Sequence, residues 1–345
     1  VTPGHWRRDE SFPVAGAHEQ TFFLRRNGFL GQSVDSSTGM DALEYMPALG
    51  TGNGYWSGGG ISFYLPDDQR ADEAYSLVYT TTAFDEETHI LGWPKVILHA
   101  ASSARAATFV AKLSDVAPDG HSALIVDGSL NATRRHSFSE PEALIPEEIY
   151  ELRIPMMPTG WVVKPGHCLR LAISGSDFPN LWPSPEAAIN KVYRGGQYPS
   201  RLTIPIVPKS VAESPQFSPP KPLREVVKTQ QGPMTQQVVQ DQISGITTVL
   251  RRSRITTVLD DNLGIFSYQQ EMRCSASTRN PAQASVVASH TYTQEREDGV
   301  TETCAESTLR STQTAFHLTI QLNVTRNGKP FFQKHWAATE PRRLL

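Results

Sequence analysis

Residues 109–128 read FVAKLSDVAPDGHSALIVDG, and residues 166–179 read GHCLRLAISGSDFP. Both alternate apolar with polar positions, as a half-buried strand must when successive side chains point to opposite faces. In the first, Ala117-Pro118-Asp119-Gly120 interrupts the alternation with one residue of fixed φ and one free to take positive φ, which is turn chemistry. The stretch predicts a strand, a tight turn and a second strand. The same period recurs at 75–81, 95–101, 108–115, 123–127, 149–156 and 169–174, with shorter pieces at 21–24 and 28–31. Turn residues separate these pieces at irregular spacing, as in a two-sheet sandwich. One piece, 185–193, reads as helical over a turn or two, through Ala187, Ala188, Ile189 and Val192.

Proline density changes the picture between 205 and 233, where Pro208, Pro215, Pro219, Pro220 and Pro222 fall. That density disfavours regular ladders and predicts an extended strap or linker. Beyond it, Phe316, Leu318, Ile320, Leu322 and Val324 alternate strictly with His317, Thr319, Gln321 and Asn323, giving one apolar and one polar face. Asp298-Gly299 divides 285–294 from 300–309, and Asn327-Gly328 divides 315–325 from 331–336. Such pairs favour type I′ hairpin turns, whose central residues both need positive φ. Residues 242–336 therefore predict an up-and-down meander of about six strands. The repeated ITTVL at 246–250 and 255–259 is too short to define an internal repeat.

The expected fold is all-β: a jelly-roll, galactose-binding-like β-sandwich over residues 1–208, a strap over 209–235, and an antiparallel β-meander domain over 236–345. The meander's apolar face needs a cover, from the strap, the sandwich or a partner subunit.

Composition narrows the function classes without naming one. The chain has 345 residues, 39% apolar and 19% charged, which suits two or three globular domains. A net charge of -3 gives no pull toward nucleic acid or an anionic membrane. No apolar run approaches the roughly 20 residues that cross a bilayer. The opening VTPGHWRRDESFPV lacks the apolar core of a secretory signal. Cys168 reads as a small buried hydrophobe in a strand. Cys274 and Cys304 could pair only if their strands are neighbours; free thiols, and a cytoplasmic rather than secreted setting, are the expectation. Without CxxC or HExxH, no metal and no cofactor is expected.

Candidate chemistry is sparse. The glycine-rich stretch from Gly50 to Gly60 does not fit G-x-G-x-x-G and precedes no helical pattern, so it reads as a connection needing positive φ. No serine sits in the G-x-S-x-G elbow of an α/β hydrolase; Ser62 has Gly60 before it but Tyr64 after it, and Ser57 has Tyr55 where glycine is required. No catalytic residue is assigned. His99, His167 and His317 fall on or beside strands, where exposed or hydrogen-bonded structural roles are expected. Asp115, Asp119 and Asp127 bracket the Pro-Asp-Gly turn, but their spacing is not that of an EF-hand, and turn-stabilising contacts account for them.

An ordered set of motifs resembles the C-terminal β-domain of the serine hydrolases related to Xaa-Pro dipeptidyl peptidases, cocaine esterase and α-amino-acid ester hydrolases. It begins with Trp6, Phe12-Pro13 and FFLRRNGFL at 22–30. Gly58-Gly59-Gly60-Ile61-Ser62-Phe63 and Asp68-Gln69-Arg70 follow, then Tyr79-Thr80, Gly92-Trp93-Pro94, Asp115-Val116 and Asp127-Gly128. Gly166-His167, Arg170, Phe178-Pro179, Asn190, Tyr193, Pro199-Ser200 and Ile204-Pro205-Ile206 complete it. The chain departs from the pattern at Ala106 and Thr108, where acids are usual, at Cys168, where arginine is usual, and near Tyr193, where a histidine is missing.

The resemblance implies that the catalytic serine, acid and histidine belong to an upstream α/β-hydrolase domain, on which this domain packs. It implies a non-catalytic portion that stabilises that domain and shapes its acyl pocket, with Ile61, Ser62 and Phe63 as the substrate-facing residues. Phe63 reads equally as an apolar wall of that pocket and as sandwich core. A rival class is a carbohydrate-binding jelly roll using Trp56, Trp93, Trp161 and Trp182 as stacking platforms, and a third is a homo-oligomerising assembly module.

Overall fold

The computed structural model describes residues 4–51, 68–210, 214–219, 227–259 and 264–345. Its contacts divide the chain into two units, Val1–Phe217 with Leu344–Leu345, and Ser218–Arg343.

Thirteen strands build the first unit among the described residues. They are β1 (His18–Arg25), β2 (Phe29–Gly31), β3 (Gly39–Glu44), β4 (Leu77–Thr80), β5 (Thr88–Gly92), β6 (Lys95–Ser102) and β7 (Thr108–Val116). Then come β8 (Ser122–Asn131), β9 (Tyr150–Pro155), β10 (Thr159–Val163), β11 (Cys168–Ser174), β12 (Ile189–Arg194) and β13 (Arg201–Val207). The ladder runs β3-β12-β6-β13-β1-β2-β4-β11-β7-β8, with β9 on β6 and the β5–β10 pair joined through β13. One short α-helix, α1 (Arg70–Glu73), and two 3-10 turns, at Arg26–Gly28 and Ala132–Arg134, interrupt this all-β pattern among the described residues.

Period-two burial makes the core. Phe109, Ala111 and Leu113 of β7 pack with Leu169 and Leu171 of β11, Leu152 and Ile154 of β9, and Val96 and Leu98 of β6. The predicted hairpin forms as β7 and β8. Its turn closes with the Ala117 amide donating to His121 O at 2.9 Å and the Gly120 amide to Ala117 O at 2.8 Å. Asp119 Oδ1 accepts from the His121 amide at 3.0 Å, the expected turn-stabilising contact.

Two readings fail here. The helix-like piece at 185–193 instead contributes β12, which pairs with β3 on one side and β6 on the other. Good local helix formers yield to two flanking ladders, with β3 over Ile189–Arg194 and with β6 over Asn190–Tyr193. The proline-rich stretch 205–233 also carries regular ladders: Pro205 lies in β13, and β14 (Val227–Gln231) pairs with a strand of the second unit's sheet. Pro205 is tolerated because β13 pairs β6 through Thr203 and β5 from Ile206, so neither of those ladders claims it.

The second unit is an antiparallel sheet of eight strands among the described residues. β14, β15 (Thr235–Asp241), β16 (Ile246–Leu259), β17 (Gly264–Ser277), β18 (Ala284–Arg296), β19 (Gly299–Ser311), β20 (Ala315–Arg326) and β21 (Lys329–Pro341) follow one another. β16 to β21 are the expected six-strand meander, and β14 and β15 share the remaining edge of β16. Asn327 and Gly328 both have positive φ, 51° and 73°, as a type I′ turn needs. The Asp298-Gly299 turn differs: only Gly299 is positive, β18 ends at Arg296, and the two-residue loop is Glu297-Asp298. Cys274 on β17 and Cys304 on β19 are separated by β18, and all three cysteines are free. No helix among the described residues is long and apolar enough to cross a membrane.

Candidate functional site

Ile61, Ser62 and Phe63 lie outside the described residues, as does Trp56. The chain on either side of 52–67 is described, and there the first unit concentrates its buried charge.

The foundation is the second face of β7. Lys112 and Ser114 occupy polar positions of the alternation, where solvent is expected, yet both are buried. Lys112 lies across from Asp127 of β8 and Ala172 of β11, and Ser114 lies across from Arg170, which pairs in turn with Thr80. This face therefore carries Lys112, Asp127, Arg170 and Thr80 side by side.

The acids of α1 are paired with its cations. Glu73 accepts from Arg170 Nη1 at 2.7 Å and from Ser122 Oγ at 2.5 Å, while Arg170 Nε also donates to Thr80 at 3.0 Å. Asp72 lies 3.6 Å from Lys112 Nζ and accepts from the Gly50 amide. A third acid comes from the segment after β11: Asp177 Oδ1 accepts from Lys112 Nζ at 2.6 Å, and its other oxygen accepts from Asn180 at 2.8 Å. One ammonium thus serves a cluster that also includes Asp72 and Asp127. Burial, with repulsion from Asp177 and despite Lys112, raises the pKa of Asp72 and of Asp127. Burial works against the Lys112 charge too, but attraction and hydrogen bonding to Asp177 prevail and raise its pKa.

The Asp68-Gln69-Arg70 motif opens this helix. Arg70 grips Asp68 through Nε and Nη2, the latter at 2.6 Å, and this hydrogen bonding lowers Asp68 to about 2. Gln69 is buried, its backbone amide donating to Ser122 O at 2.8 Å, and neither end of its side chain has a hydrogen-bond partner among the described residues. On the other flank, the Phe178 amide donates to Leu49 O at 2.6 Å and Ser176 Oγ to Pro47 O at 3.0 Å.

A second feature is a cleft of about 450 Å³ lined by His5, His89, Leu91, Trp161, Lys164 and Val207, among others. Of the three described tryptophans considered for sugar stacking, Trp93, Trp161 and Trp182, only Trp161 lines it. Its indole nitrogen donates to Asp115 at 2.8 Å, and Asp115 also meets His167 Nδ1 at 2.7 Å. Asp115 therefore fixes a tryptophan and a histidine rather than the hairpin turn. Trp93 packs edge-on against Phe12, centroids 5.6 Å apart. His167 and His317, bonded to Thr339, have the expected structural role; His99 lies 3.7 Å from Glu151, and its buried Nδ1 has no hydrogen-bond partner among the described residues.

Sequence reasoning found Asp68-Gln69-Arg70 and Arg170 but missed Lys112, Asp72, Glu73 and Asp177. A lone lysine in an alternating strand reads as solvent-facing; only the covering helix and loop bury it.

The first 203 residues match the X-Pro dipeptidyl-peptidase C-terminal non-catalytic domain. Cocaine esterase of Rhodococcus sp. (strain MB1 Bresler) is 28% identical over 231 residues, covering 59% of this chain and 40% of the esterase. The crystal structure of an aminopeptidase from a marine sediment archaeon, Thaumarchaeota archaeon, has the same fold over 59% of this chain and 39% of that one, with a TM-score of 0.52 at 22% identity. The chain spans about two fifths of the length of these relatives. On the match of residues 1–203, supported by the ordered motifs in the fold, the chain belongs to the X-Pro dipeptidyl-peptidase C-terminal non-catalytic domain family, the β-domain of hydrolases of the cocaine-esterase type.

Proposed function

We propose that this chain is the non-catalytic β portion of a CocE/NonD-type serine hydrolase acting on esters or Xaa-Pro peptides. In this reading an α/β-hydrolase domain precedes it in the parent, the first unit is that family's jelly roll and braces the catalytic domain, and Ile61, Ser62 and Phe63 wall the acyl pocket. A strap that starts at residue 209 leads to the meander domain, whose sheet already takes in β14 at Val227–Gln231, and no activity is assigned to that domain. The observation that carries the reading is the match of residues 1–203 to a domain described as non-catalytic. The absence of a G-x-S-x-G elbow from the sequence agrees with it. The buried charge flanking 52–67 supports it further, because a pocket wall has to be held in place to select substrates.

Two measurements test it. The purified chain is expected to turn over neither p-nitrophenyl esters nor Xaa-Pro-p-nitroanilides; turnover that copurifies with the chain through successive columns overturns the reading. In the parent enzyme, Phe63→Ala is expected to raise KM for a bulky acyl group about tenfold, the scale of lost apolar contacts in a pocket. Unchanged specificity with lost stability would make Phe63 a core residue and remove the acyl wall.

A further inference from the structure

We propose that Lys112 is a positioning residue that fastens together the two flanks of residues 52–67. The entry flank is Pro47 to Gly50, and the exit flank is Asp68 to Glu73. Each is fixed to the strand face by a route that passes through the Lys112 ammonium.

On the entry side, Lys112 holds Asp177 at 2.6 Å, and the next residue, Phe178, donates its amide to Leu49 O at 2.6 Å. Gly50 runs flush against the same backbone: a Cβ there would stand 2.7 Å from Asp177 C and from Phe178 N. On the exit side, Lys112 faces Asp72 at 3.6 Å. Asp72 closes the loop of contacts by accepting the Gly50 amide, so the carboxylate of one flank binds the backbone of the other. Glu73, Arg170 and Ser122 hold α1 down beside it but touch only the exit flank. Lys112 is thus the cation common to both sides.

The physical reason for a lysine is the charge it meets. Asp72 and Asp177 approach each other because they share an ammonium, and Asp127 stands across from that ammonium on β8. Without the cation, two or three buried carboxylates would repel or take up protons, and the Gly50 amide would lose a charged acceptor. A buried ion pair broken on one side is strongly unfavourable, so relaxation would be felt first by the backbone that Asp177 and Asp72 hold, at the flanks.

The consequence for catalysis rests on the proposed acyl wall at 61–63; the fastening itself does not. Amide hydrogen exchange on the whole chain reads it directly, at Gly50, Gln69 and Phe178. Lys112→Met is expected to speed exchange at these three amides about a hundredfold, with the amides of β6 and β13 following only the global change in stability. Lys112→Arg is expected to restore most of the protection. Val126→Ala, in the β8 core, supplies the comparison for a general loss of stability. If Lys112→Met does not fold, Asp177→Asn, which removes the charge from the shorter ion pair and leaves the ammonium with Asp72, carries the same comparison. Exchange at Gly50, Gln69 and Phe178 that rises no more than in Val126→Ala overturns the proposal, as does failure of arginine to restore it.

In the parent enzyme, Lys112→Met is expected to raise KM for bulky esters about tenfold more than it lowers kcat. Fast exchange with unchanged KM would keep the fastening and reject the acyl wall, so the two ideas fail separately.

Discussion

Two glycines of the first unit separate backbone strain from close approach. Gly120 holds φ +85° with nothing within 4 Å of where a Cβ would stand, so Gly120→Ala meets only the left-handed backbone cost of about 1 kcal/mol. Gly50 holds φ +111° and would also drive a methyl group into the Asp177–Phe178 backbone, 2.7 Å away. Gly50→Ala is expected to cost about 3 kcal/mol or more, the sum of strain and displaced backbone. Urea unfolding of the two variants side by side checks this, and equal losses would dismiss the close approach. Only the first of these glycines announces its role in the sequence, through Pro-Asp-Gly; Gly50 is one of many in a glycine-rich stretch, and its neighbour lies more than a hundred residues away. Cysteine reactivity is a second test at this scale. Cys274 is buried, and burial pushes its thiol up to about 11, whereas Cys304 faces the opposite side of the sheet. With a disulfide reagent near pH 8, Cys304 is expected to react first and Cys274 only on unfolding. Comparable native rates would contradict the assigned faces.

At the scale of elements, α1 sets acids onto a face that already holds Asp127, and this has a pH signature. Asp72 and Asp127 have raised pKa values in the folded chain, chiefly from burial. The folded state therefore holds their protons longer, and their contribution to stability falls as pH rises above the unfolded value of 3.8. Below 3.8 both states are protonated and the penalty of burying these charges is absent. Asp68, lowered to about 2 by Arg70, acts in the opposite sense: its stabilisation is present above 3.8 and is lost as pH falls toward 2. Asp127→Asn is thus expected to raise the thermal midpoint at pH 7 and to leave it nearly unchanged at pH 3. An equal gain at both values would mean that charge is not the cause. Elements were legible where local signals agreed with the ladder, as in β7, β8 and β16 to β21. They were not where the ladder overrode them: β12 pairs on both sides despite its helix formers, and β13 accommodates Pro205 at a change of partner. The Glu297-Asp298 loop escaped because the Asp-Gly pair does not by itself say which two residues occupy the turn.

Across the whole molecule, apolar burial is unequally shared. The first unit encloses Tyr79, Phe109, Leu169 and Leu171 almost fully, whereas the buried apolar residues described in the second unit are mostly small, among them Val249, Cys274, Ala276, Ala284 and Ala288. The meander instead places Ile255, Tyr268, Tyr292, Val324 and Phe332 in one register row across β16 to β21, and Tyr292 and Phe332 are exposed. Two compact units with such different cores are expected to unfold as two calorimetric transitions rather than one. Leu171→Ala identifies them. Its side chain is fully buried on β11 between β4 and β7, so truncation should cost about 2–5 kcal/mol through lost transfer energy and the cavity left behind. In a unit of this size that lowers one transition by roughly 5–15 °C and leaves the other in place. A single transition that shifts as a whole would show that the two units share their stability. In that case a change in the first unit would be felt by the meander, and loss of the meander would be felt around Lys112.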